Sequence, residues 1–137
     1  WGERFDVVSQ LMANCPLRDA NDVIASVQNF MNRSAESQIS CFRLGWTNPW
    51  WAAKLNEHGT PDYLFPELRN IRSQDLQNLY CPSGAIWVAR APVLKLAKTF
   101  YVPGHILHEL NWMSAIDIDD AEDLEMAKAC FLVKKHI

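Results

Sequence analysis

Short apolar runs of strand length alternate along this chain with stretches of helical period, and that alternation leaves few folds open. Phe5-Asp6-Val7-Val8-Ser9-Gln10-Leu11-Met12 is mostly apolar, as a strand buried inside a sheet is. Ala13 to Arg18 breaks it, with Pro16 as punctuation. A helix follows: Asp19 can cap it, and Val23, Val27, Phe30 and Met31 fall on one face. Ile39–Leu44 and Ala85–Ala89 read as further strands, the second introduced by Pro82-Ser83-Gly84. Pro92 can open a short helix reaching about Lys98. Ala115–Ile118 reads as a short strand. A last helix then starts from Asp119 as cap, with Glu122 completing a capping box. Ala121, Leu124, Ala127, Phe131 and Cys130 would form its buried face. The order implies an α/β fold with a mainly parallel sheet.

The segment 45–76 breaks this rhythm. It holds turn signals such as Asn56-Glu57-His58-Gly59, no clean period, and many aromatics: Trp46, Trp50, Trp51, Tyr63 and Phe65. Either an aromatic subcore or a subunit interface would account for them. With 137 residues the chain is long enough for one domain with a real core, and 49% apolar against 21% charged residues marks it as globular. A net charge of −3 without a basic stripe argues against nucleic acid as partner. No apolar run reaches the length of a membrane span, and nothing resembles a signal peptide. Cys15, Cys41, Cys81 and Cys130 are far apart with no C-x-x-C pair, which suits reduced thiols in the cytoplasm. The chain starts at Trp1, with neither Met nor a polar lead-in, and reads as cut from something longer.

The chemistry concentrates in Ala115-Ile116-Asp117-Ile118-Asp119-Asp120-Ala121-Glu122-Asp123. On an extended backbone Ile116 and Ile118 face one way, and Asp117 and Asp119 the other, about 6.5–7 Å apart. At an effective dielectric near 20 two such charges repel by about 2 kcal/mol. Two readings are open. Acids in a first helical turn complement the helix dipole, which accounts for Asp119, Asp120, Glu122 and Asp123 but not for Asp117. A divalent cation accounts for the pair, since Mg²⁺ takes one or two carboxylates together with substrate phosphates. His105 and His108 could form a second metal pair on a helix, but no third ligand accompanies them. Lys134-Lys135-His136 suits the end of the last helix.

Four stretches in order resemble the acylneuraminate cytidylyltransferases, the CMP-sialic acid synthetases. Ala115-Ile116-Asp117-Ile118-Asp119 is similar to that family's S-[VI]-D-I-D element, and Cys15-Pro16-Leu17-Arg18 to the end of its Q-P-T-S-P-L-R segment. Arg72-Ser73-Gln74-Asp75-Leu76 is similar to R-R-Q-D-L, and Pro82-Ser83-Gly84-Ala85-Ile86-Trp87 to P-N-G-A-I-Y. The resemblance implies a three-layer α/β/α nucleotidyltransferase sheet of GT-A or Rossmann-like kind, incomplete here, with a protruding dimerisation arm at 45–76. Residues 1–137 would then be the C-terminal portion of a single domain. It implies transfer of CMP from CTP to a nine-carbon keto-acid sugar with release of pyrophosphate, Mg²⁺ as cofactor and a cytoplasmic homodimer. By the same resemblance Asp117 and Asp119 are the metal ligands and catalytic residues. Asn14, Arg72, Gln74, Ser83, Gly84 and Trp87 would bind substrate.

The chain departs from the pattern at five positions, several of which the resemblance implies to face the sugar. The family's Gln is Met12, its Thr is Asn14, its second Arg is Ser73, its Asn is Ser83 and its Tyr is Trp87. A related sugar such as legionaminic or pseudaminic acid is therefore as compatible as N-acetylneuraminic acid. None of the five glycines lies in a phosphate-loop setting, so these residues alone are expected not to bind CTP. The competing expectation is a non-catalytic dimerisation or sugar-binding module that keeps the fold.

Overall fold

The computed structural model describes residues 4–45 and 47–135; Trp1, Gly2, Trp46 and His136, all used in the sequence reading, lie outside the described residues. Two compact units divide the chain, Trp1–Phe42 with Pro82–Ile137 and Arg43–Cys81.

The first unit carries a four-stranded sheet in the order β1-β5-β2-β6, formed by β1 (Val7–Gln10), β2 (Ser37–Arg43), β5 (Tyr80–Arg90) and β6 (Ile106–Glu109). Helices α1 (Ala20–Asn32), α2 (Ala91–Ala97) and α3 (Ala121–Lys134) accompany it, so the mixed α/β class holds. The sheet is not mainly parallel: β2 and β6 run parallel, but β1 and β5 are antiparallel, pairing Val7 with Arg90 and Gln10 with Trp87. The alternation of elements carries no information on strand direction where the irregular segment 44–79, and not a crossover helix, joins β2 to β5.

Residue alternation along the strands sorts two cores. Ile86 and Val88 of β5 pack with Phe30 of α1, while Trp87 and Ala89 point to Ile39, Phe100 and Leu94 of α2. Buried Gln38 faces α1, where its amide donates to the carbonyl and hydroxyl oxygens of Ser26 and accepts from Asn29 Nδ2 at 2.7 Å. Asp19 caps α1 as its sequence demands, in a reciprocal box with Asp22. Val23 and Val27 pack inward with Phe30, but Met31 is exposed. Proline enters α2 in its first turn, and Lys98 ends the helix in the left-handed conformation.

Two further expectations fail. His105 and His108 do not share a helix: Ile106–Glu109 is a strand edge-paired to β2, and its residues alternate sides. His105 instead lies against the Val102 carbonyl and the Tyr101 ring, and burial lowers the His108 pKa. Helix α3 buries only Ala127 and Cys130 of its expected face; Ala121, Leu124 and Phe131 are exposed.

In the second unit, β3 (Ala53–Leu55) and β4 (Pro61–Tyr63) form a two-stranded hairpin. Asn56 shapes its turn by accepting from the amides of His58 and Thr60, and Gly59 supplies φ of +75°. Three short 3₁₀ turns complete the unit, which Trp50 braces by meeting Phe65 edge to face at 4.9 Å.

Candidate functional site

Two loops of the first unit meet. One is Met12–Arg18, after β1; the other is Asn111–Asp120, before α3. Arg18 shapes the first: its Nη1 donates to the carbonyls of Met12 and Cys15. In the second, residues 111–115 form a tight turn, with Asn111 Oδ1 accepting from Met113 N. Ala115–Ile118 is therefore not a strand. Among the described residues no strand pairs with it; the Ile118 amide bonds instead to the Asn14 carbonyl, at 2.9 Å. The expected alternation nonetheless survives. Ile116 and Ile118 pack on Leu17, Ala127 and Cys130, while Asp117 and Asp119 face solvent.

The cap of α3 falls one residue later than its sequence suggests. Asp120, with an extended backbone, accepts from the amides of Glu122 and Asp123. Asp123 returns the bond to Asp120 N at 3.1 Å and reaches Asp119 N at 3.0 Å. Asp120–Asp123 thus replaces the expected Asp119–Glu122 box, because the extended turn that a cap requires lies at Asp120. The carboxylate of Asp119 is left free of capping, and so is that of Asp117.

Around this pair the structure gathers two of the other sequence candidates. Asn14 Nδ2 donates to Asp119 Oδ1 at 3.3 Å. Ser83 is buried, donating to the Ala115 carbonyl at 3.0 Å and accepting from Ala85 N, so its hydroxyl fixes the turn that leads to Asp117. Gly84 lies alongside: a Cβ there would meet Met12 Sδ at 2.3 Å. Trp87 is turned to structural work, its Nε1–H on the Ser83 carbonyl and its ring against Phe100 and Tyr101. Arg72 and Gln74 belong to the other unit. There Arg72 pairs with Asp75 at 2.9 Å on an exposed surface, and Gln74 borders a cavity of about 710 Å³.

Sequence reasoning passed over two residues here. Cys15 is buried within the field of the two carboxylates. Burial raises its thiol pKa most, the charges of Asp117 and Asp119 raise it further, and Arg18 opposes them. The field of both carboxylates therefore converges on one atom. Lys134 is more than a dipole complement: its Nζ donates to the Leu17 carbonyl at 2.8 Å and to Ser114 Oγ, tying α3 to both loops.

Among the described residues no group of three or more His, Cys, Asp or Glu side chains converges on a point. A caged structural metal is therefore not what the donors suit. Two exposed carboxylates on one side of an extended segment suit a cation that keeps water and substrate oxygens as its remaining ligands, as Mg²⁺ does. A cavity of about 180 Å³, bordered by Asp117, Asp123, Trp112 and Met126, opens beside them.

No family model and no curated protein matches the chain. A solved structure does, the 4-diphosphocytidyl-2C-methyl-D-erythritol synthase from Anaerococcus prevotii DSM 20548, with a TM-score of 0.53 and 11% sequence identity. The match covers 93% of this chain, which spans 59% of that one. At such identity the likeness shows the fold, a cytidylyltransferase-like nucleotidyltransferase fold, and nothing finer.

Proposed function

We propose that this chain is part of a cytidylyltransferase that transfers CMP from CTP to a nonulosonic, sialic-acid-like sugar acid and releases pyrophosphate. The observation that carries the reading is that Asp117 and Asp119 both stand exposed outside the helix cap, which Asp120 and Asp123 form between them. Their like charge is held together on one side of a segment that packing of Ile116 and Ile118 fixes. The nucleotidyltransferase fold and the resemblance of Asp117-Ile118-Asp119 to the family's D-I-D element support it.

In this reading Asp117 and Asp119 hold Mg²⁺, with Asn14 orienting the carboxylate of Asp119. The cation, when bound, would carry charge on the α-phosphate and favour ionisation of the attacking hydroxyl. Ser83 fixes the turn before Asp117, and Gly84 leaves the space that Met12 fills. Arg72 and Gln74 are proposed to meet the sugar acid, and 45–76 to serve as the dimerisation arm. Exposed Trp51, Leu55 and Leu64 in that segment support an interface. Four free cysteines suit a cytoplasmic setting. The triphosphate cradle is proposed to come from residues outside this sequence, so the chain alone should not bind CTP in a calorimetric titration.

The test is pyrophosphate release by the full natural polypeptide carrying these residues, with CTP, Mg²⁺ and a panel of nine-carbon keto-acid sugars. Release with one sugar is expected, reduced about a hundredfold or more in Asp117→Asn and in Asp119→Asn. A readout independent of turnover is the Cys15 thiol, followed by ¹³Cβ shift against pH. Mg²⁺ should lower its pKa by masking the two carboxylates, and should do so far less in either variant. Full activity in both variants, or no release with any sugar, defeats the assignment.

A further inference from the structure

Lys134 occupies the last turn of α3, where a cation complements the helix dipole whichever way it points. This one turns back on the fold. Its side chain is 29% exposed, and its Nζ donates to the Leu17 carbonyl at 2.8 Å and to Ser114 Oγ at 3.2 Å, with Asp19 Oδ2 at 3.7 Å. The ammonium thus joins the loop after β1, the cap of α1 and the loop before α3. Neighbouring Lys135 carries the same charge at the same helix end, but it stays at the surface over the Phe131 ring and bonds to neither loop among the described residues.

Both loop acceptors belong to buried residues, and each stands three residues from a group of the carboxylate site: Leu17 from Asn14, Ser114 from Asp117. Beside them run the bonds that join the loops, Ile118 N to the Asn14 carbonyl at 2.9 Å and Asn14 Nδ2 to Asp119 Oδ1 at 3.3 Å. The second is already at the long end of the range, so a small parting of the loops breaks it. We infer that Lys134 is a positioning residue of the carboxylate site: by clamping Leu17 to Ser114 it keeps Asn14 on Asp119, and so sets how tightly the pair holds a divalent cation. Partners that orient a ligating carboxylate govern metal affinity in this way. Lys134 bears on the cation only through the transfer reading; its hold on the loops does not depend on that reading.

The experiment is NMR of the full natural polypeptide carrying these residues, ¹⁵N-labelled, with and without Mg²⁺. Hydrogen exchange at Ile118 should quicken about tenfold or more in Lys134→Met, with little change at Ile86 in the sheet core. The Asn14 side-chain amide resonances should move with it. Mg²⁺, followed through the Asp117 and Asp119 amides, should bind about tenfold more weakly. Lys134→Arg should recover part of both, since a guanidinium can still donate to the carbonyl and the hydroxyl. Lys135→Met, which removes the same charge from the same helix end, should leave both within about twofold of the parent. Added to Asn14→Ala, Lys134→Met should cost no further Mg²⁺ affinity, because the two act through one contact. Ser114→Ala removes one acceptor and no charge; it should give a smaller Ile118 response, and it decides the question if Lys134→Met does not fold. A parent that binds no Mg²⁺ defeats the transfer reading and the effect on the cation, while Ile118 exchange still judges the hold on the loops. Unchanged Ile118 exchange, exchange raised evenly across the sheet, or equal losses in the Lys134 and Lys135 variants would each overturn the inference.

Discussion

The two units of this molecule are held by different physics. In the first, Phe30, Ile39, Ile86 and Val88 are wholly buried, and the sheet presents a core on each side. In the second, not one described residue between Arg43 and Cys81 is buried. What orders it is local: capped turns, a three-residue ladder, the Trp50–Phe65 edge contact and the Arg69 guanidinium over Tyr63. A region without a core opens at low free energy, and binding surfaces are drawn from such regions. The difference predicts that local opening concentrates in Arg43–Cys81.

The strongest way to break the contrast is a pair of truncations. Phe30→Ala should destabilise the protein by about 3–5 kcal/mol in chemical denaturation. Trp50→Ala should leave the main transition within about 1 kcal/mol of the parent while speeding hydrogen exchange at Ala52 and Leu64. Equal losses from the two would show one cooperative core where two regimes are described here. The hairpin turn sharpens the contrast at smaller scale. Gly59→Ala forces a side chain into the left-handed region at a cost of about 1–2 kcal/mol, and that cost should appear in exchange near the turn and not in the global midpoint. The smallest effect concerns acid. The backbone amide of Asp22 does most to hold the Asp19 carboxyl below its ordinary 3.8, aided by the Asn21 amide and Lys134 and against some desolvation. A depressed carboxylate stabilises the fold above its unfolded value, and that contribution is lost as pH falls through the folded one. Asp19→Asn should therefore lower Tm at pH 7 and shrink the gap to the parent in the acid range below 3.8, a change confined to the first unit.

How far the sequence could be read follows the same division. Where periodicity and capping agree, as in α1, or a proline marks the first turn, as in α2, the elements stand where their residues place them. The Ile116/Ile118 and Asp117/Asp119 alternation was readable because two-residue spacing needs no ladder, only an extended backbone. What it could not reveal was the partner: the Asn14 carbonyl, a single group on a distant loop, in place of a strand. The cap moved from Asp119 to Asp120 because two adjacent aspartates offer equivalent side chains and only tertiary packing picks one. Ile106–Glu109 went unread as a strand because four residues, with a histidine before them and another among them, carry no clear period of their own. The role of Cys15 was invisible for a related reason: burial within the field of two carboxylates is a property of where loops meet, not of spacing.

The void at Gly84, filled by the sulfur of Met12, couples two positions seventy-two apart in the chain. Neither can drift alone. Any relative that gains a side chain at the first position should carry a shorter residue at the second, and the two should covary. Their joint identity is thus a record of packing between the loop after β1 and the start of β5, read at two places in the chain at once.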